Sequence, residues 1–240
     1  MNDYRLINID RLTSEMSREK VQQMLSTRDS RFTLEQALYN NAQIFQIDME
    51  EVFHKEWIFI GMSCEIPNRG DYITVDLGQN PLLIIRDADG SINAFHNSCR
   101  HRGSRLCSAV KGKVANLVCP YHKWTYDLKG NLLFAGNDVI ENFDKSEYGL
   151  NKAHCAVGGG FIFVSLHQQQ PENIQDFIQS MDEYMEPYDI ENSKVAAESS
   201  ILEKANWKLV LENNRECYHC ANGHPDLIRS LIEYDDINDP

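Results

Sequence analysis

Cys99-Arg100-His101 is followed, after seventeen residues, by Cys119-Pro120-Tyr121-His122, and this stretch decides how the chain around it is read. Each cysteine brings its own histidine a few residues on. Two such pairs match a [2Fe–2S] cluster of mixed ligation, in which two thiolates hold one iron and two neutral imidazoles hold the other and raise its potential. A Cys2His2 zinc site groups like with like, two cysteines close together and two histidines close together, and this spacing does not. Buried thiols with incidental histidines are the remaining alternative.

The sequence on either side reads as short strands. Residues 58–62, 71–77 and 81–85 are apolar or alternating runs separated by Gly, Asn and Pro. Asp89-Gly90 marks a hairpin between 82–86 and 91–95. Residues 114–118 lead into the second Cys-His loop, 124–128 lead out, and Lys129-Gly130-Asn131 turns into 132–134. Residues 57–135 thus read as a small antiparallel β domain with the cluster at one end. Pro120 and Gly103 suit tight loops whose backbone N–H groups approach the sulfurs. Upstream, 14–25 suits a surface helix, Thr33 opens a second helix with Glu35 and Gln36 in its first turn, and a third begins near Asp48 and carries Met49, Val52, Phe53 and Trp57. Downstream, Gly158–Gly160 turns into a strand at 161–166, a polar helix spans 171–184 with Pro171 in its first turn, and 194–202 is expected as a further strand.

A chain of 240 residues buries a sizeable core, and its net charge of -13 argues against wholesale binding to a phosphate backbone. No apolar run reaches the length of a membrane span and no secretory signal is visible, so no nucleic acid and no membrane are expected, and the default location is cytoplasmic. Seven cysteines, an odd number, do not form a disulfide framework; Cys64, Cys107 and Cys155 read as buried thiols. Between Cys99 and Tyr126 the acidic average reverses. Asp and Glu are absent there, while Arg100, Arg102, Arg105, Lys111, Lys113 and Lys123 all occur. That run is either a solvated basic face or a docking patch for an acidic electron donor.

A second constellation lies near the end. Trp207 opens a helix with Val210, Leu211, Asn214, Cys217 or Tyr218, and Ala221 on one side, while Glu212, Glu216 and His219 share the other. Gly223 and Pro225 are expected to end it. His224 follows His219 by five residues, which on an unbroken helix separates them by about 140°. A break at Gly223 brings them side by side, where they supply two ligands of a mononuclear metal site. Cys217-x-x-Cys220 beside these histidines also permits zinc.

Asn206-Trp207-Lys208, Glu212-Asn213-Asn214-Arg215-Glu216-Cys217-Tyr218-His219-Cys220 and His224-Pro225, together with the upstream Cys-His pairs, resemble the α subunit of the Rieske non-haem iron oxygenases from about Arg31 onward, and within that family the branch acting on quaternary amines. The resemblance implies an α+β fold: a small antiparallel β Rieske domain inserted in a mixed α/β catalytic domain, C-terminally truncated relative to the family. Residues 1–56 would be the N-terminal helical part of the catalytic domain, 57–160 the Rieske domain and 161–240 the start of the mononuclear-iron domain. It implies that Cys99, His101, Cys119 and His122 hold the [2Fe–2S] cluster and that His219 and His224 bind a mononuclear Fe(II). Glu216 would bridge cluster and iron of adjacent subunits, with Asn213 near the iron. The family's carboxylate ligand lies further downstream; Asp226, Asp235 and Asp236 are the nearby acids, and none matches its position. The implied activity is O2- and NAD(P)H-dependent N-demethylation of a quaternary amine such as glycine betaine, with electrons from a separate flavin- or ferredoxin-type reductase, in a homotrimer. The alternatives are a carnitine- or stachydrine-type oxygenase, an aromatic-ring dioxygenase α subunit, or a Rieske electron carrier without catalysis.

Overall fold

The computed structural model describes residues 16–136, 143–171, 174–216 and 219–230. The chain forms two compact units, one of residues 48–198 and one combining the residues up to 47 with those from 199 onward.

The unit of 48–198 is built on antiparallel strands: β1 (Ile58–Met62), β2 (Asp71–Leu77), β3 (Asn80–Arg86), β4 (Ile92–His96), β5 (Lys111–Lys113), β6 (Leu117–Val118), β7 (Thr125–Tyr126), β8 (Leu132–Phe134), β9 (Lys152–Gly158) and β10 (Phe161–Ser165). Seven of them make one sheet in the order β1-β10-β9-β4-β3-β2-β5, and the other three make a small sheet in the order β6-β7-β8. The unbroken apolar run of β3 follows from its central place. Alternate side chains of a strand point to opposite faces, so Leu83 and Ile85 enter one core with Phe95, Trp124 and Tyr126, while Leu82 and Ile84 enter another with Ile66, Ile162 and Val164. All four are fully buried, each stabilising the fold by about 1.5–3 kcal/mol. The β3–β4 hairpin turns at Asp89-Gly90 as expected, closed by the Asp87 N–H donating to the Ser91 carbonyl at 2.8 Å. In the Lys129-Gly130-Asn131 turn, Gly130 adopts φ +85°, and a Cβ there would meet the Phe95 ring at 2.5 Å.

Several expectations are corrected. Residues 114–118 and 124–128 contribute only the two-residue strands β6 and β7, because pairing stops where the chain bends around the Cys-His loops. Residues 194–202 form no strand; they are exposed and carry no ladder. Strand β9 went unread because its residues do not alternate, yet it joins β10 to β4. The helix α4 (Ile174–Met185) follows β10.

In the other unit, α1 (Arg18–Ser26) is capped by Ser17, whose Oγ accepts from the Lys20 N–H. The helix expected from Thr33 starts later, as α2 (Gln36–Asn40), with Glu35 at its cap. The helix expected near Asp48 begins earlier, as α3 (Ala42–Asp48), because Asn41 Oδ1 accepts the Gln43 and Ile44 N–H groups and so caps it there. A π-helical turn, Met49–Phe53, follows it in sequence and belongs to the unit of 48–198. Ala37, Leu38 and Ile44 form the core, with Val21, Met24 and Leu34 against them. Three helices follow late in the chain: α5 (Trp207–Arg215), α6 (Cys220–Gly223) and α7 (Pro225–Ser230). Among the described residues no helix is long and apolar enough to cross a membrane.

Candidate metal centres

The first Cys-His loop leaves β4 through Asn97, which is buried and closes the loop's neck. Its Oδ1 accepts from the Leu106 and Cys107 N–H groups at 3.0 Å each, and its Nδ2 donates to the Cys107 carbonyl at 2.7 Å. Within the loop Gly103 turns with φ +71° and donates to the Cys99 carbonyl. The second loop joins β6 to β7. There the Cys119 N–H donates to the Trp124 carbonyl at 2.8 Å, and the Lys123 N–H donates to the Cys119 carbonyl at 3.1 Å. Lys123 takes φ +63°, a left-handed conformation costly for a residue with a Cβ.

The loops bring all four residues to one end of the unit. Cys99 and Cys119 are buried. The His101 and His122 rings, half-buried, lie 4.7 Å apart at 71°. His101 lies flat on Trp124, 4.9 Å away and 7° from parallel, and Tyr121 packs on His122 at 3.8 Å. Trp124 in turn meets Phe143 and Tyr148 edge-on. Two observations fit a [2Fe–2S] cluster. His122 Nδ1 is buried without a hydrogen-bond partner among the described residues, as a nitrogen kept for a metal would be. Burial pushes the Cys99 thiol above its ordinary range, so a thiolate there requires a cationic partner, which iron provides. Among the described residues no three His, Cys, Asp or Glu side chains gather as for a single ion.

The basic run is partly neutralised. Arg105 pairs with Asp76 at 3.0 Å, Lys111 with Glu65 and Glu198 at 2.9 and 2.6 Å, and Lys113 with Asp71 at 3.1 Å. Asp71 and Asp76 come from β2, Glu65 from the 3-10 turn Ser63–Glu65 and Glu198 from the segment after α4, so sequence proximity overstated the patch. Arg100, Arg102 and Lys123 stay exposed, with no carboxylate within 4 Å among the described residues.

The second constellation differs from its expected form. Helix α5 is capped by Asn206, whose Oδ1 accepts the Lys208 N–H at 3.0 Å, but it ends at Arg215. Glu216 is extended (φ -116°, ψ 101°) with its N–H on the Asn213 carbonyl. Glu212, Glu216 and His219 therefore do not share one helical face: the helix stops a full turn before His219. Cys217 and Tyr218 lie outside the described residues, as do Asp235 and Asp236. The expected pairing of the histidines is present. The Gly223 N–H donates to the His219 carbonyl, the His224 N–H to the Cys220 carbonyl, and the backbone at His224 leaves the helix (φ -136°, ψ 59°). The two rings then lie 5.5 Å apart at 76°, a spacing that suits two ligands of one iron. Asp226 instead pairs with Arg229 at 3.3 Å, and no third ligand joins the histidines among the described residues. Asn213 is exposed near the end of α5.

Sequence reasoning missed Tyr126. Its Oη stands 3.3 Å from Cys99 Sγ and accepts the Arg100 N–H at 3.1 Å. The signal was the inward alternation of Trp124 and Tyr126 across β7.

A model of the Rieske [2Fe-2S] domain matches residues 56–137, and a model of the ring hydroxylating alpha subunit catalytic domain matches residues 189–236. The chain is 54% identical over 226 residues to the glycine betaine monooxygenase oxygenase subunit of Pseudomonas aeruginosa, covering 94% of this chain and 52% of that protein. It is 33% identical to the carnitine monooxygenase oxygenase subunit of Acinetobacter pittii, covering 85% and 55%. Among solved structures it is similar to the quaternary ammonium Rieske monooxygenase CntA in complex with L-carnitine (TM-score 0.70, 33% identity, 79% of this chain and 54% of that one). It is also similar to naphthalene 1,2-dioxygenase from Rhodococcus sp. (TM-score 0.75, 28% identity, 89% and 51%). The chain spans about half the length of the curated relatives it matches.

Proposed function

Because the chain belongs to the Rieske oxygenase α subunits, uniting a Rieske [2Fe–2S] domain with part of a ring-hydroxylating catalytic domain, we propose that it acts as the oxygenase component of a two-component quaternary-amine N-demethylase. The observation that carries this reading is the combination, in one chain, of the Cys99/His101/Cys119/His122 set with the His219/His224 pair 5.5 Å apart. The identity with glycine betaine monooxygenase subunits supports glycine betaine as substrate.

In this reading residues 57–160 hold the cluster, and residues 1–56 and 161–240 belong to the catalytic part. Bound at these sites, the cluster relays single electrons and Fe(II) activates oxygen. The chain's own residues do the rest. Cys99 and Cys119 would hold one iron of the cluster in a buried, low-dielectric setting; His101, held flat by Trp124, and His122 would hold the other. His219 and His224 would hold the mononuclear iron, with Asn213 expected near it from the family resemblance. Glu216 joins a cluster histidine of a neighbouring subunit to His219, its carboxylate accepting from the ring N–H groups that face away from the metals and so fixing both tautomers. That arrangement fits the homotrimer that the resemblance to the Rieske oxygenases implies. The net reaction consumes one O2, one NAD(P)H and one proton. Hydroxylation of an N-methyl group gives a carbinolamine, which releases formaldehyde and leaves the tertiary amine, dimethylglycine from glycine betaine; the second oxygen atom leaves as water. Arg100, Arg102 and Lys123 form the docking patch for an acidic flavin- or ferredoxin-type reductase.

The test is a substrate panel of glycine betaine, carnitine and an arene, supplied with reductase and NAD(P)H. Formaldehyde released in step with NAD(P)H consumption on glycine betaine supports the reading; turnover on the arene alone assigns ring dioxygenation instead.

A further inference from the structure

Helix α5 ends four residues before His219, yet it has little apolar burial of its own. Every described side chain from Leu209 to Glu216 is exposed, including Leu209, Val210 and Leu211. Nine residues are too few for a helix to be stable alone in water. Two specific contacts reach it from α2. Lys208 Nζ donates to the Leu38 carbonyl at 3.1 Å. Tyr39 Oη donates to the Glu212 carboxylate, 2.9 Å from Oε2 and 3.1 Å from Oε1, while accepting the Leu34 N–H at 3.2 Å. The phenol is therefore held on both sides, and its proton is aimed at Glu212.

We propose that Tyr39, through its hydrogen bond to Glu212, is a positioning residue that fixes the rotation of α5 and so the placement of the His219/His224 iron site. Glu212 stands one helical turn before Glu216, the C-cap of α5, which precedes His219 by three residues in sequence. A contact off the helix axis at that position resists rotation, which the N-terminal cap at Asn206 does not. The Lys208 contact fixes the start of the helix; the Tyr39 contact fixes the end that leads to the ligands. This inference rests on the iron-site reading above.

The experiment titrates the cluster-loaded protein anaerobically with ferrous ammonium sulfate and records EPR of the nitric oxide adduct, alongside the EPR of the reduced cluster. Tyr39→Phe is expected to weaken Fe(II) binding about fivefold, the effect of one lost hydrogen bond, and to change the rhombicity of the nitric oxide signal while the cluster signal stays as in the wild type. Glu212→Ala should match it, Glu212→Gln, which keeps an acceptor oxygen, should recover part of the loss, and the double variant should be no worse than the poorer single one. Wild-type affinity and signal in Tyr39→Phe, or additive losses in the double variant, would overturn the proposal. A wild-type protein that takes up no second iron would overturn the iron-site reading itself, and this inference with it.

Discussion

The phenol of Tyr126 stands 3.3 Å from the Sγ of Cys99 and accepts the Arg100 N–H, so its own proton is free to point at the sulfur. Burial, reinforced by Cys99, holds the phenol protonated far above the ordinary tyrosine range. A hydroxyl donating to a ligand thiolate favours the more electron-rich, reduced cluster. Tyr126→Phe should therefore lower the reduction potential by about 40 mV, the one-electron equivalent of one net hydrogen bond of about 1 kcal/mol. Protein-film voltammetry measures it directly; an unchanged potential would mean the hydroxyl does not donate to the sulfur.

Glu216 ends α5 in an extended conformation, free of the helix and followed within three residues by His219. Glu216→Gln keeps the size and loses the charge. Both metal sites should remain filled while turnover falls by about 10–100-fold, as for other groups that orient metal-bound histidines. Metal analysis beside steady-state rates separates these effects, and full activity would end the bridging role.

Among the described residues Arg100, Arg102 and Lys123 have no carboxylate within 4 Å, and the docking patch narrows to them. Neutralising Arg100, Arg102 and Lys123 together should slow cluster reduction by an acidic reductase about tenfold at low salt and flatten its dependence on ionic strength. Arg105→Gln, whose cation already faces Asp76, should have little effect. Stopped-flow reduction at several salt concentrations decides between them; equal effects from both variants would argue against a localised patch.

Burial pushes the Cys155 thiol up to about 12. The native thiol should resist iodoacetamide at pH 8, since only a thiolate reacts. The sign for stability follows from the raised value. In the unfolded chain this cysteine ionises from about pH 9, whereas the folded state keeps its proton, so stability is full below pH 9 and falls between there and about pH 12. Cys155→Ala should flatten that alkaline loss in a pH series of denaturant melts; an unchanged slope would assign the loss to other groups.

What the sequence made legible followed from local chemistry. Cys99, His101, Cys119 and His122 announce themselves by residue type and spacing, and the β3–β4 hairpin by Asp89-Gly90, because each is set within a few residues. The His219/His224 pairing was readable because Gly223 and Pro225 permit only a short helix there. The end of α5 was not: Asn213, Asn214 and Arg215 carry no stop signal, and the extended backbone at Glu216 is not encoded in a periodicity. Partners distant in sequence were equally hidden. Asp76 for Arg105, Glu198 for Lys111 and Glu212 for Tyr39 meet only after the chain has folded, so neither the diluted basic patch nor the fixation of α5 was visible beforehand.

In the proposed function, electrons held by the Cys99/His101/Cys119/His122 cluster are spent on oxidising an N-methyl group. A single-turnover experiment tests it most directly: the protein is reduced, freed of reductant, mixed with glycine betaine and oxygenated buffer, and freeze-quenched for EPR while formaldehyde is assayed. The reduced-cluster signal is expected to disappear as formaldehyde forms, and His101→Ala, lacking the cluster, to yield none. Cluster oxidation with no formaldehyde, or formaldehyde at the same rate without the cluster, would contradict it.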